Sequence, residues 1–160
     1  MKCGDVLTSG SVVGIVSECA SYSGTGYISA DTQVLPGEIF IVESRAGSCG
    51  IVRVDNFRYV NEIISGSTTL MKALVESEDE GLRDLLSRDS YIEAELSLVR
   101  SFGEGSPLIP GSRIRKLGEL EGEEALREFY GIGKGEELDY FEYAPLAGSN
   151  VNLLLNYNGL

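Results

Sequence analysis

Ser112-Arg113-Ile114-Arg115-Lys116 is the densest basic run in a chain whose 25 Asp and Glu outnumber its 13 Lys and Arg. Side chains alternate between faces along an extended strand, so Arg113 and Arg115 share one side and Ile114 points to the other. Two guanidiniums so placed can grip successive phosphates or carboxylates through paired N–H donors. The plainer reading is that surrounding Glu residues balance them on a solvated face. Both readings make Arg113, Arg115 and Lys116 candidates for contact with a partner.

Other chemistry is thinly supplied. The chain has no histidine, the residue most used for proton transfer near neutral pH. Carboxylates are plentiful, but most lie in Glu76–Glu80, Glu119–Glu124 and Glu136–Glu142, where like charges mark solvated faces. Cys3, Cys19 and Cys49 are an odd number of widely spaced thiols, which suits neither a zinc site nor a disulfide framework. They are expected as small apolar residues on strands.

Two glycine-rich segments invite a nucleotide and do not fit one. In Gly131-Ile132-Gly133-Lys134-Gly135, a Walker A loop would need glycine where Glu128 stands and Ser or Thr where Gly135 stands. The segment also follows a predicted helix, so it reads as a helix-ending turn. Gly10-Ser11-Val12-Val13-Gly14 lacks dinucleotide spacing, and Gly14 reads as a bend where a barrel curls. The expectation is no cofactor, no metal and no catalysis in this chain.

The elements that must position these residues come from periodicity. Val12–Val16, Gly26–Ser29 after a Gly24-Thr25 turn, Ile39–Glu43 after Pro36-Gly37, and Cys49–Val54 are short β-branched runs. They predict an antiparallel meander, the first four strands of a barrel over 11–60. Residues 67–88 carry Leu70, Leu74, Leu82, Leu85 and Leu86 at helical spacing, a helical insertion in one piece or two, capped by Ser67 or Thr68. In Tyr91–Arg100, Ile92, Ala94, Leu96 and Leu98 face one way and Glu93, Glu95 and Ser97 the other. Further strands follow through 90–160, with a short helix near 123–130 and a final strand placing Val151, Leu153, Leu155 and Tyr157 on one side before Asn158-Gly159.

A chain of 160 residues buries roughly 70% of its unfolded surface in one core. One domain over 1–160 is expected, mainly β, with two or three short helices. Closure removes sheet edges, so a barrel is the preferred form. No apolar run approaches the ~20 residues that span a bilayer, and the reading is a cytoplasmic protein with no membrane contact. A net charge of −12 opposes direct attachment to DNA or anionic lipid and favours a protein partner. Loops at the ends of a rigid barrel are the places to dock one. The candidates are Arg45, Ala46, Gly47 and Ser48 in one hairpin and Gly103, Glu104 and Gly105 in another loop.

The order of elements resembles a known family. Val13-Gly14-Ile15-Val16, then Val34-Leu35-Pro36-Gly37-Glu38-Ile39-Phe40-Ile41-Val42-Glu43, then Gly47–Val54 look like the opening of HerA-type DNA translocases. Tyr91–Phe102, the Pro110-Gly111-Ser112 turn, the helix ending at Tyr130 and the closing Pro145–Leu160 follow the same order. Ile39 stands where the family often has Tyr, and no residue of Phe57–Asp89 is matched to the family. The resemblance implies a HAS barrel, the noncatalytic N-terminal module of a hexameric ATPase that moves double-stranded DNA in end processing. ATP and Mg would then bind a RecA-like part that follows, and the chain would end a step before it. The implied partners are further copies in a ring and a NurA-type nuclease, with DNA met only through the full-length ring. The alternative is a free-standing barrel adaptor that binds another protein.

Overall fold

The computed structural model describes residues 10–76, 78, 80, 81, 84, 88–117, 140–145 and 152–156, the last two stretches as backbone. Six strands are β1 (Val12–Ala20), β2 (Ser23–Ser29), β3 (Ile39–Glu43), β4 (Cys49–Val60), β5 (Tyr91–Phe102) and β6 (Arg113–Lys116). They close into an antiparallel barrel in the order β1-β2-β5-β4-β3-β6. The fold is mainly β, as the alternation predicts.

Alternation builds the core directly. Phe40 and Val42 from β3, Val52 and Val54 from β4, Ile92, Ala94 and Leu96 from β5, and Ile114 from β6 are all buried in one cluster. Leu108, in the loop after β5, belongs to the same cluster. A second apolar layer lies outside it: Ile41, Cys49 and Ile51 are buried yet do not belong to the interior cluster. Ile41 pairs with Ile51 across β3 and β4. Cys49 is disulfide-bonded, which corrects the expectation of three uncoupled thiols. Cys19 is free and exposed, and Cys3 lies outside the described residues.

The strand order corrects the predicted meander. β2 pairs along its whole length with β5, from Ser23↔Ser97 to Ser29↔Tyr91, and not with β3. Residues 30–38 form a long connection, so β3 is free to land on the far side of the barrel. The Gly24-Thr25 turn is also corrected, because both residues lie inside β2 and the chain reverses at Ser21-Tyr22. Gly24 is there for close approach: a Cβ would sit 2.7 Å from the Glu18 carbonyl oxygen. Pro36-Gly37 does turn, with Gly37 at φ 77 and Glu38 N–H donating to the Leu35 carbonyl.

β4 runs through Val60, beyond the Val54 at which alternation stops in the sequence. Asp55 and Asn56 look like turn residues, but a β-bulge between Val54 and Asn56 absorbs the break and the ladder continues. Two more bulges bend β1, next to Gly14 and at Ser17. A Cβ on Gly14 would collide with the Tyr27 carbonyl oxygen, so the glycine permits the tight curl expected of it.

Two short helices follow β4. α1 (Glu62–Ser65) starts at Asn61, whose Oδ1 accepts the Ile64 N–H at 3.0 Å. α2 (Thr68–Glu76) starts with Ser67 Oγ accepting from Leu70 N–H at 3.2 Å, so Ser67 is the capping residue. No residue of α1 or α2 is buried. Leu82, Leu85 and Leu86 lie outside the described residues, as do the helix expected at 123–130, Gly131–Gly135 and Asn158-Gly159. β7 (Tyr140–Pro145) and β8 (Asn152–Asn156) pair with each other in a separate two-stranded sheet, not with the six barrel strands.

Candidate docking end and charged clefts

Alternating strand directions bring the β1–β2 turn, the β3–β4 hairpin and the β5–β6 loop to one end of the barrel. The β3–β4 hairpin is fixed by Ser44 N–H donating to the Ser48 carbonyl at 2.8 Å and Gly47 N–H to the Ser44 carbonyl at 3.1 Å. Gly47 adopts φ 86, a left-handed conformation that glycine takes without a Cβ penalty. Arg45, Ala46 and Gly47 are exposed at the tip. Ser48 is not: it is buried, and its hydroxyl is hydrogen-bonded to that of Ser44 at 2.6 Å. It holds the hairpin shut behind the exposed tip, not at the surface expected of it.

The second candidate loop lies beside the first. The Cβ position of Gly103 is 3.7 Å from Ser48 Cα, and Gly103, Glu104 and Gly105 are exposed. Past them the chain turns inward. Leu108 is 2% exposed and closes this end of the core, anchored by Ser112 Oγ donating to the Pro107 carbonyl at 2.7 Å. Gly111 and Ser112 then join β1 through Gly111 N–H to the Val16 carbonyl and Val16 N–H to the Ser112 carbonyl.

The three basic candidates on β6 have different fates. Arg115 Nε donates to Glu43 Oε2 at 2.8 Å and its Nη1 to the Gly10 carbonyl at 3.1 Å. Lys116 Nζ donates to Glu38 Oε1 at 2.7 Å and to the Gln33 carbonyl at 2.8 Å, and stands over the Phe40 ring. These two are bonded within the fold, as the balancing of charge by neighbouring Glu residues would have it. Glu38 and Glu43, on and beside β3, supply the neutralising charges. Arg113 is exposed and, like Arg45, makes no ion pair among the described residues.

Arg113 and Arg45 line one cleft of about 370 Å³ with Ile15, Glu43, Ser44 and Gly111. It continues into a space of about 320 Å³ reached by Ile109 and Pro110. Arg113 is in register with Ile15 on one side and Glu43 on the other. Arg45 and Arg113 line the cleft with the single carboxylate of Glu43, which already pairs with Arg115, so the cleft is positive in a negative chain.

A second groove, of about 430 Å³, is acidic and includes Glu18, Cys19, Thr25, Asp55 and Glu95. Glu18 and Glu95 pair with Thr25 from opposite sides, one row across β1, β2 and β5. The Asp55 bulge aims its carboxylate at Ser97 Oγ and at Arg53 Nε, the latter 2.8 Å away. The Ser97 hydrogen bond first, then the Arg53 bond, hold the Asp55 carboxyl below the usual carboxylate range. Among the described residues, no three His, Cys, Asp or Glu side chains are placed to hold a metal.

Sequence reading missed this acidic row, since strand pairing, invisible locally, assembles it. Its one legible trace is the Asp55-Asn56 break in alternation. The two grooves can bind by charge and shape. What the fold and site define is a small closed antiparallel barrel with paired loops at one end. No protein-family model matches the chain, and no curated protein matches it. No helix among the described residues is long and apolar enough to cross a membrane.

Proposed function

We propose that this chain is a noncatalytic assembly and docking barrel of a HerA-like, ATP-dependent DNA translocase. The observation that supports the reading is the placement of both candidate loops, 45–47 and 103–105, side by side at one end of a closed barrel. A rigid wall presenting adjacent exposed tips is suited to holding a partner rather than to transforming a substrate. The motif order from Val13 to Val54 points to the same family.

In this reading the barrel forms a collar of a hexameric ring and its loop end docks a NurA-type nuclease. Double-stranded DNA is handled by the complete ring, with ATP and Mg bound in the RecA-like part.

The purified chain, titrated with a NurA-type nuclease encoded in the same genome, is expected to bind it. Glu104→Lys together with Ala46→Glu is expected to weaken that binding at least tenfold without changing the thermal midpoint. Equal binding of the nuclease to a translocase lacking the barrel overturns docking. Reading the codons beyond Leu160 tests the parent: a Walker A sequence is expected shortly after it.

A further inference from the structure

The two charged grooves are distinct but adjoin along β1, which lends Ile15 to one and Glu18 to the other. β6, which carries Arg113, is two steps from β2 by way of β1 and three steps from β5 by way of β3 and β4. The positive cleft around β6 also exposes Ile15 and Ile109, which are 49% and 41% exposed. The acidic row on β1, β2 and β5 is flanked by Tyr22 and Val99, at 76% and 58%. Tyr22 is tied to this wall because its carbonyl accepts the N–H of Leu98. Each groove therefore combines exposed apolar area with charge, and the two charges are opposite.

We infer that the cleft of Arg45, Arg113, Ile15 and Ile109 on one copy receives the wall of Glu18, Glu95, Tyr22 and Val99 on a second copy. The inference rests on the ring-forming part of the reading above and assigns surfaces to it.

Charge selects which patches meet. Cleft against cleft brings Arg45 and Arg113 of both copies together, and wall against wall does the same for Glu18 and Glu95. Like charges facing across an interface disfavour both of these like-on-like arrangements. Cleft against wall satisfies both, and it uses different patches on the two copies. A single cleft–wall contact is heterologous: each copy keeps one unused patch, so it continues into a ring or a filament, whereas a reciprocal pair of cleft–wall contacts closes a two-fold dimer, and sedimentation tells the two apart. Glu18 and Glu95 sit two strands apart, about 10 Å by sheet spacing, so they can take separate guanidiniums. Glu18 and Glu95 make no ion pair among the described residues, so no existing bond must break.

The test is charge exchange followed by sedimentation. The wild-type chain alone is expected to associate with rising concentration at about 50 mM salt, and at least tenfold less tightly at about 500 mM, where screening shortens to a few ångströms. Arg45→Glu/Arg113→Glu destroys the cleft, and Glu18→Arg/Glu95→Arg destroys the wall. The cleft variant is expected to sediment as a monomer with an unchanged thermal midpoint. The wall variant, whose new arginines meet an intact positive cleft, is expected to do the same.

A mixture of wild type with either variant is expected to give shorter assemblies, because each variant terminates growth at one side. The cleft variant still offers an intact wall to a wild-type cleft, and the wall variant an intact cleft to a wild-type wall. A wild-type monomer at every concentration and low salt overturns the inference, as does undiminished self-association of both variants. Termination by neither variant also overturns it and points to a two-fold contact. The nuclease is absent from these measurements, so a failure of docking leaves their outcome unaffected, and a failure here leaves docking to be read from its own titration.

Discussion

Lys116 Nζ and Glu38 Oε1 meet at 2.7 Å although 78 residues separate them in the chain. The Glu38 side chain is 3% exposed and the Lys116 side chain 32%. Glu38 also accepts the Leu35 N–H through Oε2 at 2.9 Å, so one carboxylate joins the β2–β3 connection to β6. Lys116→Met is expected to destabilise the barrel by about 1–3 kcal/mol, because it leaves a buried carboxylate without its cation. Adding Glu38→Gln to that variant should recover part of the loss. Urea unfolding midpoints of the two singles and the double check this.

The interior makes a contrasting pair of residues on one strand. Leu96 is 1% exposed and Val99 is 58% exposed. Leu96→Ala is expected to cost about 2–5 kcal/mol through lost burial and a residual cavity. Val99→Ala is expected to stay within about 0.5 kcal/mol. Thermal melting of both variants separates them.

Asp55 carries a pH signature. Its folded pKa is depressed, chiefly by the Ser97 hydrogen bond and then by Arg53. A depressed carboxyl adds stability above its unfolded pKa, and the contribution disappears as pH falls through the folded value. Stability of wild type relative to Asp55→Asn should therefore be greater at neutral pH and shrink under acid. Denaturant midpoints from neutral pH to about pH 2–3 follow the effect, and Ser97→Ala should reduce it.

The cysteines differ in chemistry as well as in position. Cys19 is free and exposed, while Cys49 is buried and disulfide-bonded. A thiol reagent added to the folded chain should label Cys19 within minutes, and Cys49 only after unfolding and reduction. Peptide mass mapping before and after reduction reads both.

Local pattern carried much of the fold. The alternation of Ile92, Ala94 and Leu96 against Glu93, Glu95 and Ser97 identifies both a strand and its buried face, because side-chain direction in a strand depends only on parity. Gly47 and Pro36-Gly37 mark turns because their backbone angles are local. Strand order is different. That β5 lies between β2 and β4 depends on which long strands fit each other, and no short window contains that information. The same holds for the candidate site. Basic residues were visible on β6, but only the pairing of distant strands distinguishes Arg113, left exposed, from Lys116, tied to Glu38. Bulges hid a third part: alternation stops at Val54 in the sequence, yet Asp55 is a kink inside a strand that runs on to Val60.

Closure of the six strands has a mechanical corollary. A sheet with a free margin can fray from that margin, one ladder at a time; a hoop has none, and parting any two neighbours severs a seam that the other five must then bear. Amide protons around the whole girdle should exchange with solvent at one common, slow rate, and those of α1 and α2, outside the hoop, much sooner.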